Sequence, residues 1–297
     1  MQLCVIIFFG GANPPNFWQK DDMMRANIQK AASLDDLRAL ECFIFDIDGT
    51  VALATTPLPE AIDFILRLRR AGKRVMFYTN SPNRSHREMV EYLGKMGFEP
   101  REDEMISAGD VTISYLKQNH PDARVYAVGV PEMERMFREA GICLVPMTAQ
   151  TADVVVSGFD KTLTFDKAAA AARLIQRGAT YLCTHPDLSV PIEDCLLPDA
   201  GAIAAMITAA TGVAPIFMGK PSPAGMALIE AQTGIPATHM CMIGDRLYTD
   251  IAFGNRSGAT SVLVLTGGTN AAEASLAEGD ERPDFVVEDL SVLAELF

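Results

Sequence analysis

The sequence predicts an α/β fold built on a Rossmann-like parallel sheet. Two observations carry this. From Leu40 onward, short apolar β-rich runs alternate with helical stretches, and that βαβ order implies parallel strands joined by right-handed crossovers. Several of the runs also end in polar residues, at Asp46, Thr79 and Asp245, and the carboxyl ends of strands are where an open parallel sheet binds ligands.

Each element has its own warrant. "CFIFDI" (42–47) is apolar and stops at Asp-Gly, so it reads as a buried strand. "PEAIDFILRLRRAG" (59–72) reads as a helix ending at Gly72. "RVMFYTN" (74–80) is a second strand, 85–97 a helix and 104–109 a short third strand. A second alternation follows: strands at 124–130, 153–158 and 180–184, and helices at 131–141, 165–178 and 199–212. "GKPSPAGMALIEAQTG" (219–234) is a turn and helix with Pro223 near its start. The strand 239–245, the helix 246–258, the strand 260–268, the short strand 284–290 and a terminal helix complete the chain.

Composition narrows the function. The chain is 49% hydrophobic over 297 residues, enough for one large domain or two ordinary ones. Its net charge of −13 argues against a nucleic-acid binder and against docking on anionic membranes. The six cysteines show no CxxC and no metal-type spacing, which fits buried free thiols in a reducing, cytoplasmic setting. Residues 1–35 read as an N-terminal extension, disordered or translated from a start upstream of Met23 or Met24.

The chemistry gathers at strand and helix ends. Asp46 and Asp48 close the first apolar strand, where carboxylates two apart share a side. Two like charges so close need a cation or a shared proton. Gly49 permits a tight turn and close approach of the backbone to a ligand. Thr79, Asn80 and Ser81 offer a hydroxyl and turn amides to phosphate oxygens. Lys220 precedes a helix N-terminus, a place that suits an anion. Asp245 ends another apolar strand, with Asp250 five residues on, and a third carboxylate at one sheet edge would complete a hard-cation site.

Together "FDIDGT", "YTNS", "GKPSP" and "GDRLYTDI" resemble the haloacid dehalogenase (HAD) superfamily of aspartate-nucleophile phosphotransferases, over everything from about residue 40 to the end. The surplus chain between Thr79 and Lys220 looks like a cap domain inserted after the third core strand, similar to the NagD-like and 4-nitrophenylphosphatase-like subclass IIA. The resemblance implies a core of 36–111 and 214–297 and a cap of 112–213. It implies Asp46 as nucleophile and Asp48 as general acid–base. Mg²⁺ would be held by the Asp46 carboxylate, the Asp48 backbone carbonyl and Asp245. Gly49, Thr79, Asn80, Ser81 and Lys220 would bind the phosphate, and Asp250 would orient Lys220 or metal-bound water.

The chain departs from the subclass in one loop. It reads "THPDLSVP" where the subclass has an Asn-Pro-Asp-type sequence, so His185 and Asp187 are expected on a cap loop that meets the substrate. The other histidines, His86, His120 and His239, read as structural or surface residues. The expected function is a Mg²⁺-dependent phosphatase of a small phosphorylated metabolite, in a chain that resembles relatives dimerising through the cap. The alternatives are phosphoryl transfer to a sugar or alcohol and non-catalytic binding of a phospho-ligand.

Overall fold

The computed structural model describes residues 33–53, 55–81, 85–192 and 195–297. The expected N-terminal extension, apart from 33–35, lies outside the described residues.

The first sheet has six parallel strands in the order Phe285–Val287, Thr260–Val264, Met240–Gly244, Cys42–Phe45, Arg74–Thr79, Met105–Ser107. Cys42–Phe45 is central. The chain first runs out to one edge through Arg74–Thr79 and Met105–Ser107. It later returns on the other side of the first strand with Met240–Gly244. Strand order therefore reverses beside Cys42–Phe45, and the crevice beyond the carboxyl ends at such a reversal is the natural ligand site.

The central strand is apolar throughout because both its faces are covered. Phe43 and Phe45 point into one layer and pack edge-on against Phe64 of the helix Pro59–Arg70, at 6.2 and 5.9 Å between ring centres. Cys42 and Ile44 point into the other. Burying each such phenyl ring is worth roughly 1.5–3 kcal/mol.

A second sheet of five parallel strands has the order Ile216–Phe217, Thr180–Cys183, Val154–Ser157, Arg124–Val128, Cys143–Leu144. One of its faces is closed by the helices Phe165–Gln176 and Ala200–Thr211. Its other face joins the apolar layer of the first sheet: Val154, Val156 and Leu182 belong to one buried cluster with Ile44, Met76 and Tyr78.

Several elements differ from the sequence reading. The first strand stops at Phe45, because the N–H groups of Thr50, Val51 and Ala52 all turn back to the Ile47 carbonyl. Asp46 and Asp48 thus stand on a turn beyond the strand. The helix Ala108–Asn119 was not anticipated and runs through the expected 111/112 boundary; Ser107 caps it in a reciprocal box with Asp110. The hairpins Ala52–Leu53/Thr56–Pro57 and Ser189–Ile192/Cys195–Pro198 were likewise unforeseen. The stretch 246–258 is a π-helical turn, Leu247–Ile251, followed by the helix Ala252–Ser257. Cys42, Cys183 and Cys241 are buried free thiols, whereas Cys143 and Cys195 are exposed.

Candidate active site

The turn after the first strand is shaped by packing. Gly49 has φ +92°, a left-handed conformation suited to glycine, and its N–H donates to the Ala52 carbonyl at 2.8 Å. A Cβ at Gly49 would stand 2.3 Å from Asp245 Oδ2. Opposite, the loop after Thr260–Val264 folds over the same carboxylate. Thr266 Oγ1 donates to the Gly49 carbonyl at 2.6 Å, and Gly268 N–H donates to Asp245 Oδ2 at 2.6 Å. Gly267 lies so close that a Cβ there would come within 2.1 Å of Asp245 Oδ2.

Lys220 is at the centre, only 2% exposed. Its Nζ donates to Asp46 Oδ1 at 2.5 Å, Asp250 Oδ1 at 2.7 Å and the Tyr78 carbonyl at 3.0 Å. Burial alone would lower its pKa, but the charges of Asp250 and Asp46 outweigh that and raise it, so the ammonium stays charged. Asp250 Oδ2 also accepts from the Arg246 N–H at 3.1 Å, so both of its oxygens are engaged.

Asp46, Asp245 and Asp250 each bring an oxygen within 4.8 Å of the others. Burial first, and then mutual repulsion, pushes all three carboxyls up to about 6. A cation would relieve this. Asp245 Oδ1 is buried with no hydrogen-bond partner, while its other oxygen is fixed by Gly268. A hard divalent cation suits an all-oxygen set containing such an orphaned carboxylate oxygen. Asp46 has one oxygen on Lys220 and the second left to offer, whereas Asp250 is committed to Lys220 and Arg246.

The remaining predicted residues fall as follows. Asp48 is exposed on the turn and bridges to Ala52. Thr79 is buried and its hydroxyl accepts from the Ser81 N–H at 3.1 Å. The Asn80 side chain clamps the Lys220 backbone: Oδ1 accepts from Lys220 N–H at 2.8 Å, and Nδ2 donates to Lys220 O at 3.1 Å. His185 is buried with both ring nitrogens engaged, by Thr184 Oγ1 at 2.9 Å and Asp199 Oδ1 at 3.0 Å. Asp187 crosses to the first sheet, where Asn80 Nδ2 and the Tyr248 hydroxyl donate to it, each at 2.9 Å.

Sequence reasoning assigned no role to Arg246, Tyr248, Thr266, Gly267 or Gly268. For the last three the available signal was a Thr-Gly-Gly turn after an apolar run. Arg246 and Tyr248 lay inside a quoted motif, but nothing in the chain order placed them beside Asp187.

Known proteins resemble this chain in sequence and in fold. A family described as haloacid dehalogenase-like hydrolase matches residues 43–143, and one described as HAD-hydrolase-like matches residues 217–293. An acid sugar phosphatase of Staphylococcus haemolyticus is 31% identical over 250 residues, 84% of this chain and 94% of that protein. The crystal structure of 4-nitrophenylphosphatase from Thermotoga maritima superposes with a TM-score of 0.82 at 36% identity, covering 87% of this chain and 98% of that one. Glycerol phosphate phosphatase from Mycobacterium tuberculosis, crystallised in complex with magnesium, gives 0.81 at 31% identity, covering 87% of this chain and 78% of that one.

Proposed function

The chain belongs to the haloacid dehalogenase-like hydrolases, subclass IIA, and is a phosphoric monoester hydrolase; from that premise we propose that it is a Mg²⁺-dependent phosphatase of a small phosphorylated metabolite, working through an aspartyl-phosphate on Asp46. The observation that carries the reading is the Lys220 ammonium seated between Asp46 and Asp250, beside the orphaned oxygen of Asp245.

In this reading an Asp46 oxygen attacks phosphorus as the bond to the leaving oxygen breaks. Asp48, exposed on its turn, gives that oxygen a proton. It then takes a proton from the water that cleaves the aspartyl-phosphate, help typically worth about 10²–10⁴-fold. Lys220, Thr79 and the Asn80 and Ser81 amides hold the phosphoryl oxygens, Gly49 lets the backbone come close to them, and Asp250 keeps Lys220 in place. Mg²⁺ would be held by the Asp46 carboxylate, the Asp48 carbonyl and Asp245, and would supply charge neutralisation of the phosphate.

The first sheet and its helices act as the catalytic core and the second sheet as the cap; the cap sheet takes in Ile216–Phe217, beyond the expected 213/214 boundary, and the helix Ala108–Asn119 spans the expected 111/112 boundary. A cap lying over the site favours small substrates, in keeping with the sugar, glycerol and nitrophenyl phosphatases among the relatives. A cytoplasmic setting is supported by the buried free thiols and by the lack of any disulfide among the described residues. No helix among those residues is long and apolar enough to cross a membrane. A homodimer through the cap is supported by Leu188, Leu196 and Leu197, which the cap exposes.

The test is phosphate release from a panel of small phosphomonoesters, with and without Mg²⁺, for wild type and Asp46→Asn. Mg²⁺-dependent release that vanishes in the variant is the expected result. Full activity in Asp46→Asn would remove that residue as nucleophile.

A further inference from the structure

The loop 184–188 is fixed from within its own domain. His185 is held on both ring nitrogens, by Thr184 and by Asp199, and Asp199 also accepts from the Ala200 N–H at 2.6 Å at the start of the helix Ala200–Thr211. The Gly201 N–H donates to the Asp187 carbonyl at 2.8 Å, and the Asp199 N–H donates to the Leu188 carbonyl at 3.1 Å. A Cβ at Gly201 would come within 2.1 Å of the Pro186 carbonyl, so the loop backbone rests directly on the helix. A backbone anchored this way carries the Asp187 side chain as a rigid pointer.

Among the described residues, the hydrogen bonds and ion pair of that pointer go to the opposite domain. Asp187 Oδ2 accepts from Asn80 Nδ2 at 2.9 Å; Oδ1 accepts from the Tyr248 hydroxyl at 2.9 Å and faces Arg246 Nη1 at 3.4 Å. The carboxylate is 5% exposed as a residue, and its three partners come from two segments that also carry the proposed chemistry. Asn80 follows Thr79, and Arg246 follows Asp245. Asn80 moreover grips both backbone polar groups of Lys220, whose ammonium touches Asp46. Two residues, Asn80 and Lys220, therefore separate the cap carboxylate from the proposed nucleophile.

We infer that Asp187 is a positioning residue that couples seating of the cap to the alignment of Lys220 on Asp46, acting through Asn80, with Tyr248 and Arg246 completing the latch. This rests on the phosphatase mechanism proposed above for its catalytic consequence, while the latch itself is a set of contacts in the structure. The role differs from that expected from the sequence, in which the loop meets the substrate. A substrate contact would make the effect of Asp187 depend on the leaving group. A latch acts on a step common to all esters.

The experiment compares wild type, Asp187→Asn, Asp187→Ala and Tyr248→Phe on two esters with unrelated leaving groups, 4-nitrophenyl phosphate and glycerol 3-phosphate. Hydrogen–deuterium exchange across 184–201 is followed in the same proteins. The expected result for Asp187→Ala is a fall in kcat of about 10²-fold on both esters, the scale of a small misplacement of reacting groups, with KM little changed. Asp187→Asn should retain part of the rate, and Tyr248→Phe, at an exposed side chain, should show the same pattern more weakly. Exchange across 184–201 should rise in each variant. A loss confined to one ester, or an unchanged kcat, would overturn the coupling. Should wild type hydrolyse neither ester, these two are not its substrates, and exchange alone then judges the latch: a rise supports it, and unaltered protection rejects it.

Discussion

Asp245 shows at single-residue scale how this fold trades stability for a site. It is buried, one oxygen is bound by Gly268 and the other has no partner. Burial and the Asp250 charge lift its carboxyl from 3.8 to about 6. A carboxyl raised in the folded state makes the protein more stable as pH falls through about 6, an effect complete below the unfolded value, and less stable above it. Asp245→Asn should therefore stabilise the protein at pH 7 in the presence of a chelator, by about 1–3 kcal/mol. If Asp245 holds Mg²⁺ as proposed, the variant should also lose the Mg²⁺-dependent stabilisation expected of the wild type. Urea midpoints with chelator and with Mg²⁺ measure both, and a less stable variant in chelator would refute the repulsion argument. Gly267 is the companion case. A Cβ there meets Asp245 Oδ2 at 2.1 Å, so Gly267→Ala should cost about 1–3 kcal/mol by overpacking and weaken the metal dependence of phosphate release. Normal metal titration in that variant would mean Asp245 had moved without consequence.

At the scale of elements, two helix starts are tied together away from the chemistry. His86 opens the helix His86–Lys95, and its Nε2 lies 2.9 Å from Asp110 Oδ2 in the first turn of Ala108–Asn119. The Asp110 carboxylate at that distance raises the His86 pKa against the effect of burial. Burial would raise Asp110, but the adjoining His86 imidazole, with the Ser107 hydrogen bonds, holds it below the usual carboxylate range. The His86 contribution is complete below its unfolded value near 6.5 and disappears as pH rises through its raised pKa. The Asp110 contribution is present above about 3.9 and disappears as pH falls through its lowered pKa. His86→Ala should accordingly cost more stability at about pH 5.5 than at about pH 9. Equal losses at the two pH values in urea titrations would show that packing, not charge, joins these helices. The same region shows what a sequence can convey. The core strands were legible because apolar runs such as Cys42–Phe45 are buried on both faces. The helix Ala108–Asn119 was hidden by Val111, Thr112 and Ile113, which blur a helical period, although Ser107 and Asp110 spelled out its cap. Candidate residues at strand ends were readable because topology gathers strand ends. The Asp187–Tyr248–Arg246 contacts were not, because they depend on how one sheet sits on the other.

For the whole molecule the decisive feature is that the two sheets share an apolar layer. Val154, Val156 and Leu182 of the second sheet lie in one cluster with Ile44, Met76 and Tyr78 of the first. The join is close. A Cβ on Gly109, in the helix Ala108–Asn119, would come within 2.1 Å of the Met136 methyl in Pro131–Glu139. Interdomain surfaces within a chain are commonly modest and polar, which permits separate unfolding. A continuous buried layer instead links the fates of both halves, because exposing either half uncovers apolar surface on the other. Leu182 tests this, since it is fully buried on a second-sheet strand and lies far in sequence from the first sheet. Leu182→Ala should cost about 2–5 kcal/mol. The whole urea transition should shift as one, with its slope preserved, when followed by circular dichroism and by exchange at core amides such as Ile44. If instead the second sheet unfolded at lower urea while Ile44 stayed protected at its wild-type level, the shared layer would be a contact between two independent folding units. The latch at Asp187 would then have to hold the domains in register without help from the core.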